Sequence, residues 1–514
     1  MRRVRRHPRR QQHTGNRNQK FSHTVPPFSV EYLVTRILFI SGFILQIYIC
    51  FDKDNAKKTT DYDKKVEKLL IDQYNINMIH RDIEDSIAPW FDRDKIIILK
   101  GARQVGKTTI LRNIQKQMER EGRPVQYIAA DLDFADPAFG DPRIFLLRLA
   151  DLFGETGGYV LIDEFQTIPQ AGLFLKTIYD QSREKYRFIV TGSSSLELTK
   201  NAEFLTGRKI EFVITPFSFR EYCRAKAPDM GYRLLDPWDT DVLQNHTALY
   251  GSRLKALFAE YLRFGGFPEA ALSPADMRQT LLKELLSTYI HTDVAGYQRI
   301  ENVAGFNNLV RLLCAQIGSQ VNRSELSSTL RLNQETVARY LDILEGTFVF
   351  HLVPPWFTNP RKEVSKMPKV YITDPGFTLA SGTGTASPVP YELLDGHLVE
   401  NAVWSTLSRV FGQNEVRYWR TASGAEIDFI VDLNDATLPV EVKFTGSCPK
   451  EGVAIRNFRA AYSQALPAVI ISRDHIEIPR SPEGPLIIPA FLADFLRWEA
   501  IPRRAPPGQS NAGA

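Results

Sequence analysis

The sequence predicts an α/β protein built on a parallel sheet with helices on both faces. Three observations carry this prediction. Between Ile96 and about Pro216, short β-rich runs alternate with longer stretches of helical period. The runs are apolar at their centres, as strands buried on both faces must be. The first run leads into GARQVGKT (101–108), a glycine turn placed where a helix opens.

The length of 514 residues suits about three domains of ~150 residues each. A hydrophobic content of 43% and a charged content of 24% are those of globular protein with large cores. The net charge of +5 comes largely from residues 1–20, which contain no acid, so the remainder is close to neutral. The net charge is therefore weak evidence for nucleic-acid binding, and the basic character is mostly a property of the N-terminal tail. Cys50, Cys223, Cys314 and Cys448 show no CxxC pair and no metal spacing, and read as reduced thiols of a cytoplasmic protein.

In chain order, residues 1–77 form a basic and apolar extension. Its run ILFISGFILQIYICF (37–51) is the one membrane candidate, short of the ~20 residues a spanning helix needs. Three readings stand open for this extension: a dispensable upstream segment, with Met78 opening the folded part, a membrane anchor, or a basic tail of other purpose. Residues 78–222 form the α/β core, with strands expected at 95–100, 125–131, 158–164, 187–195 and 209–216. Residues 223–298 are a helical lid interrupted near 228–240. Residues 299–356 resemble a winged helix: in NRSELSSTLRLNQETVARYLDILEG, Asn333 caps a helix whose Val337, Tyr340, Leu341 and Leu344 share one apolar face. TFVFHLVPPW then supplies the wing. Residues 357–480 mix strands and helices again, and 481–514 read as a tail.

GARQVGKT fits G-x-x-x-x-G-K-[ST] in a strand–loop–helix context, which makes it a phosphate loop. Gly101 and Gly106 let the backbone curl so that its N–H groups point at phosphate oxygens, with Arg103, Gln104, Val105 and Thr109 completing the cradle. Lys107 is placed to reach the terminal phosphates, and Thr108 to offer its hydroxyl to Mg²⁺. In YVLIDEFQ a buried strand ends in two acids, costly unless they emerge at a ligand. Asp163 is the Mg²⁺ residue, and Glu164 the base that orients and deprotonates water. RFIVTGSSS ends in hydroxyls, offering Ser193 or Ser194 as a sensor of the terminal phosphate. Arg208 in LTGR is a candidate arginine finger, with Arg103 as the alternative.

Taken in order, GARQVGKT, LIDEFQ, TGSSS, LTGR, PFSFREY (216–222) and GGFPEA (265–270) resemble a bacterial and archaeal family of AAA-type P-loop ATPases. Its members join the ATPase to a winged helix and a C-terminal domain of unknown function. The resemblance runs from about Met78 to Arg473 and includes KVYITDPGF (369–377). It implies ATP as the nucleotide and Mg²⁺ as its ion.

EIDFIVDL and LPVEVKF read as a hairpin around NDAT, with Asp428 opposite Lys443 and Ile430 opposite Glu441. Asp428, Glu441 and Lys443 then share one face. Together with Glu400 in HLVENAVWSTL they resemble a PD-(D/E)XK nuclease core, where carboxylates hold a divalent metal. The bland alternative is a set of cross-strand ion pairs. The expected recognition helix exposes Glu335 and Asp342 beside Arg339, poor chemistry for DNA, so its partner is DNA or another protein. The leading reading is an ATPase switch that moves the C-terminal domains, as a homo-oligomer if the finger comes from a neighbour. The rivals are an ATP-dependent nuclease and a nucleotide-gated binding protein with little turnover.

Overall fold

A computed structural model describes residues 79–501 except 133–135, 193–204, 291–299, 301, 359–365, 386, 480 and 482, with the backbone of two earlier strands. The chain divides into two compact units, 1–78 and 79–514. In the first, β1 (Leu33–Ile40) and β2 (Phe43–Cys50) pair antiparallel, with Ile40 opposite Phe43. The apolar run 37–51, read from sequence as a membrane segment, is thus divided between two strands. Its Ile, Phe and Tyr residues favour extended backbone. No helix among the described residues is long and apolar enough to cross a membrane.

The second unit opens with the short helix α1 (Asp82–Ile87). Its sheet comprises β3 (Ile96–Lys100), β4 (Val125–Ala129), β5 (Gly158–Asp163), β6 (Tyr186–Gly192) and β7 (Lys209–Val213). All neighbours are parallel, in the order β4-β5-β6-β3-β7. Successive residues face opposite sides, so each strand feeds two cores. Ile97, Leu99, Leu161 and Ile189 pack with Ile110, Leu111 and Ile114 of α2 (Lys107–Arg120). Ile96, Ile98, Val160 and Phe188 pack with α3 (Pro142–Phe153) and α4 (Ala171–Ser182). Each such side chain contributes about 1.5–3 kcal/mol by leaving water. The α/β class and its strands are as the sequence predicts.

Four helices follow: α5 (Phe219–Lys226), α6 (Thr240–Phe264), α7 (Pro268–Leu272) and α8 (Ala275–Thr288). Next come α9 (Val303–Ala315), α10 (Arg323–Leu330) and α11 (Gln334–Gly346). Asn333 caps α11 by accepting the Thr336 N–H at 2.6 Å. Val337, Tyr340, Leu341 and Leu344 are buried as expected. β8 (Phe350–Val353) pairs antiparallel with β9 (Lys369–Ile372), which lies beyond the boundary expected at 356. The sequence reading places this strand, in KVYITDPGF, with the C-terminal domain rather than with the wing.

After α12 (Gly376–Ser381) and α13 (Gly396–Phe411) comes a second sheet of five strands, β10-β11-β12-β13-β14. These are Val416–Arg420, Glu426–Asp432, Thr437–Lys443, Val469–Ser472 and Leu486–Pro489, with α14 (Val453–Ala461) between β12 and β13. Two expectations are corrected here. Residues 486–489 are a strand parallel to β13 and Trp498 is fully buried, so 486–501 are folded rather than tail. The Pro- and Gly-rich stretch before Leu486 had read as the end of the domain. The β11–β12 hairpin is also registered two residues differently: Ile430 faces Pro439 and Asp432 faces Thr437. Its turn is 433–436, closed by Leu433 N–H on Ala436 O at 2.9 Å, with Asn434 at φ 67°. Because side chains alternate with period two, this shift leaves Asp428, Glu441 and Lys443 on one face.

Candidate nucleotide site and the ionic core beside it

The phosphate loop joins β3 to α2 at the carboxyl end of the sheet. A Cβ at Gly101 would lie 2.1 Å from Ile214 O, so only glycine passes there. Gly106, at φ +96°, turns the chain into α2. Lys107 is buried, and its Nζ donates to Gly101 O at 3.0 Å and Ala102 O at 2.7 Å. Val105 is fully buried, while Thr108 and Thr109 are exposed at the helix mouth.

Asp163 ends β5 two strands away. Its Oδ2 accepts the Tyr127 hydroxyl at 2.7 Å, and its Oδ1 accepts the Thr191 hydroxyl and Glu164 N–H. The Tyr127 phenol is held well above its ordinary pKa by burial and by this carboxylate. Glu164 takes a left-handed backbone (φ 49°), and its carboxylate accepts from Gln166 Nε2. Thr191, fully buried at the end of β6, is a hydroxyl the sequence reading overlooked in favour of Ser193 and Ser194. Those two serines lie outside the described residues.

Arg208 does not join these groups. It precedes β7, and its carbonyl accepts the N–H of Ile96 at the start of β3, the opposite end of the strands from the loop. There its guanidinium pairs with both oxygens of Asp180, at 2.7 and 3.2 Å. Five strand residues at ~3.3 Å each separate the two ends. Arg103 and Gln104 instead stand beside Phe267, Tyr289, Val349 and Phe377.

Sequence reasoning missed Arg81. Its buried guanidinium donates to Val105 O at 2.9 Å, Thr215 O at 2.7 Å and Pro216 O at 3.3 Å, and pairs with Glu221 at 3.0 Å. Glu221 also accepts the N–H groups of Ser218 and Asp82, both at 2.8 Å. The Ser218–Glu221 capping box was legible in PFSFREY. Arg81 carries no local signal, because its partners lie far along the chain.

GGFPEA follows α6 and brings Pro268 against the loop: a Cβ at Gly106 would meet Pro268 Cγ at 3.9 Å. Gly266 O accepts from Phe217 N–H at 2.8 Å. Behind this turn sits Asp374, fully buried, accepting N–H from Gly266 at 2.6 Å and from Gly376 at 2.9 Å. A Cβ at Gly265 (φ +73°) would land 1.7 Å from its Oδ1. Burial pushes the carboxyl up to about 7, against the pull of these N–H groups.

The C-terminal acids converge, around a residue the sequence reading did not single out. Lys369 Nζ stands 2.6 Å from Glu426, 3.1 Å from Glu400 and 3.9 Å from Asp428. Tyr371 donates its hydroxyl to Glu400 at 2.5 Å, Asp428 accepts Val442 N–H at 2.8 Å, and Lys443 pairs with Glu441. Burial opposes the charge on Lys369, but Glu400, Asp428 and Glu426 outweigh it and hold its pKa above the ordinary value. Burial, with Glu400 nearby, pushes Asp428 up to about 7. Among the described residues no group of three or more His, Cys, Asp or Glu is arranged to hold a metal ion. The residues do not fit the divalent ion expected from sequence.

Strand order and loop together define the class: a P-loop NTPase fold. Residues 93–223 match the family described as "AAA domain". Two families described as domains of unknown function, DUF8612 and DUF4143, match 255–386 and 395–490. Similar curated proteins include one of Haemophilus influenzae, called an uncharacterized protein, 25% identical over 69% of this chain and 83% of its own. Another, of Mycobacterium tuberculosis, is 27% identical over 77% of this chain and 80% of its own. Solved structures include AMPPCP-bound DnaA of Aquifex aeolicus, 16% identical, covering 51% of this chain and 86% of that one at a TM-score of 0.24. A structure of katanin self-assembly, 12% identical, covers 53% and 86% at a TM-score of 0.22. The fold rests on the sheet and loop, not on these two.

Proposed function

We propose that this protein is a cytoplasmic, Mg²⁺-dependent ATPase that works as a switch, its nucleotide state setting the position of a winged helix and the C-terminal domain. One observation carries the coupling. Segment 369–377 touches every part that must move together. Lys369 and Tyr371 bond Glu400 of α13, Thr373 bonds Phe348 O, and Asp374 holds the turn whose Pro268 abuts the phosphate loop.

At the loop, ATP phosphates would take the backbone N–H groups and draw Lys107 Nζ from the Gly101 and Ala102 carbonyls. Thr108, and Asp163 through water, would hold Mg²⁺, since Asp163 Oδ2 accepts one hydrogen bond and keeps acceptor capacity. The ion supplies charge neutralisation at the phosphates. Glu164 would orient and deprotonate the attacking water, with Thr191 steadying its backbone N–H at 3.0 Å. α9–α11 with β8–β9 support the winged-helix reading. The exposed face of α11 sets Glu335, Asp342 and Glu345 against Arg339, which favours a protein partner over DNA.

A second reading, a nucleotide-gated binding protein with very slow turnover, is favoured by the position of Arg208, remote from this chain's own loop. Mg²⁺-ATP binding and turnover by the full chain decide between them. The switch requires Lys107→Ala to lose both and Glu164→Gln to bind ATP without hydrolysing it. Tight binding with no turnover by the unaltered chain supports the gated binder instead. If Lys107→Ala retains wild-type ATP affinity, both readings fall.

A further inference from the structure

We propose that Lys369 is the built-in cation of the acidic core in the C-terminal domain, and that this core takes no divalent metal while the lysine is in place. Glu400 of α13, Glu426 and Asp428 of β11 and Glu441 of β12 are gathered at one end of the second sheet. Four carboxylates in a partly buried space need cationic balance, because each unpaired charge taken from water is costly. An ammonium group has three donors, and Lys369 points them at Glu426 (2.6 Å), Glu400 (3.1 Å) and Asp428 (3.9 Å).

A divalent ion bridging Glu400, Glu426 and Asp428 would have to sit where Nζ already is. Mg²⁺ needs oxygen ligands near 2.1 Å in octahedral array. Glu400 Oε1 also carries the Tyr371 hydroxyl, and Glu441 carries Lys443. The lysine is 3% exposed and belongs to β9, whose backbone pairs with β8. It therefore cannot swing away as a surface lysine would. It also ties the two-stranded sheet to the larger one, so the pair that excludes metal fixes the domains together.

One acceptor stays unused: Glu441 Oε2 is buried with no hydrogen-bond partner. Removing the ammonium would leave the four carboxylates with only peripheral partners, Lys443 on Glu441, Arg420 on Glu426 and His397 on Glu400. A metal would then have both the charge and an open oxygen to take.

The experiment is titration of the nucleotide-free full chain with Mn²⁺, read by electron paramagnetic resonance of the free ion. The wild type should bind no stoichiometric Mn²⁺ at this core, so that Asp428→Asn leaves its curve unchanged. Lys369→Met should gain one site, lost again when Glu441→Gln is added, and its melting temperature should rise with Mn²⁺. One Mn²⁺ bound by the wild type and lost in Asp428→Asn overturns the proposal. So does a folded Lys369→Met that gains no ion. If Lys369→Met does not fold without metal, the wild-type and Asp428→Asn titrations decide the matter by themselves.

Discussion

The carboxylate of Asp374 accepts the backbone N–H of Gly266 at 2.6 Å, across 108 residues of chain. It thus joins the segment after β9 to the turn that abuts the phosphate loop. Asp374→Ala leaves at least two buried N–H groups without an acceptor, at about 1–3 kcal/mol each. The expected loss is about 2–5 kcal/mol in denaturant unfolding, and Asp374→Asn, which keeps one acceptor oxygen, should lose less. Equal losses in both variants would mean that the N–H bonds are not the source.

Arg81→Ala should destabilise the chain by about 3–5 kcal/mol, because it strands Glu221 in the interior. It also frees Val105 O and Thr215 O, so ATP affinity should fall as well. Arg81→Lys restores the charge but cannot reproduce the fork that reaches four acceptors, and should recover only part of either loss. Full recovery by lysine would show that charge alone matters.

His351 sets a pH dependence. Burial lowers its pKa to about 4, and Nε2 lies 2.8 Å from Thr373 Oγ1 while the ring packs on Trp404 at 4.7 Å. The unfolded imidazole titrates near 6.5, so its stabilisation is complete above that pH and is lost as pH falls through 4. The full loss is about 3 kcal/mol. Asp374, raised to about 7, slopes the opposite way over an overlapping range. The measurement is therefore the difference in unfolding free energy between wild type and His351→Gln from pH 7.5 to 4.5. A difference that stays flat would mean that the folded ring takes up its proton as readily as the unfolded one.

Arg208→Ala should leave ATP affinity and melting temperature unchanged, since its pairing with Asp180 is at the surface, away from the loop. If a neighbouring copy supplies the finger, specific turnover of the wild type rises with protein concentration and the variant abolishes that rise. A concentration-independent rate, equal in both, would remove Arg208 from hydrolysis.

The fold was readable where chemistry is local. The phosphate loop, the five strands of the first sheet and the α11 face each declare themselves within ten residues or so. The β11–β12 turn shows the limit. Alternation fixes which side chains share a face, but turn placement fixes which residues stand opposite, and LNDA and NDAT look alike as loops. Long-range partners left no trace at all. Arg81, Lys369 and Asp374 are single charged residues whose meaning depends on hydrogen-bond partners 24 to 140 positions away. The candidate acids of the C-terminal domain were found because they lie on two adjacent strands and one helix. Their counter-ion was missed because it comes from a different sheet.

Asn401, fully buried on α13, accepts the Ile372 N–H at 2.9 Å and donates to Ile372 O at 3.0 Å. A side-chain amide thereby does for β9 what another strand would. Just upstream, residues 318–321 take the same outer edge of the strand through Gly318 N–H, Ser319 O and Val321 N–H. The two-stranded sheet therefore offers no open ladder on that side for a second polypeptide to extend. A partner that approaches β9 on that side must be read by side chains rather than by strand addition. Asn401→Leu would leave the Ile372 N–H and C=O buried without partners, while 318–321 still cover the rest of the edge.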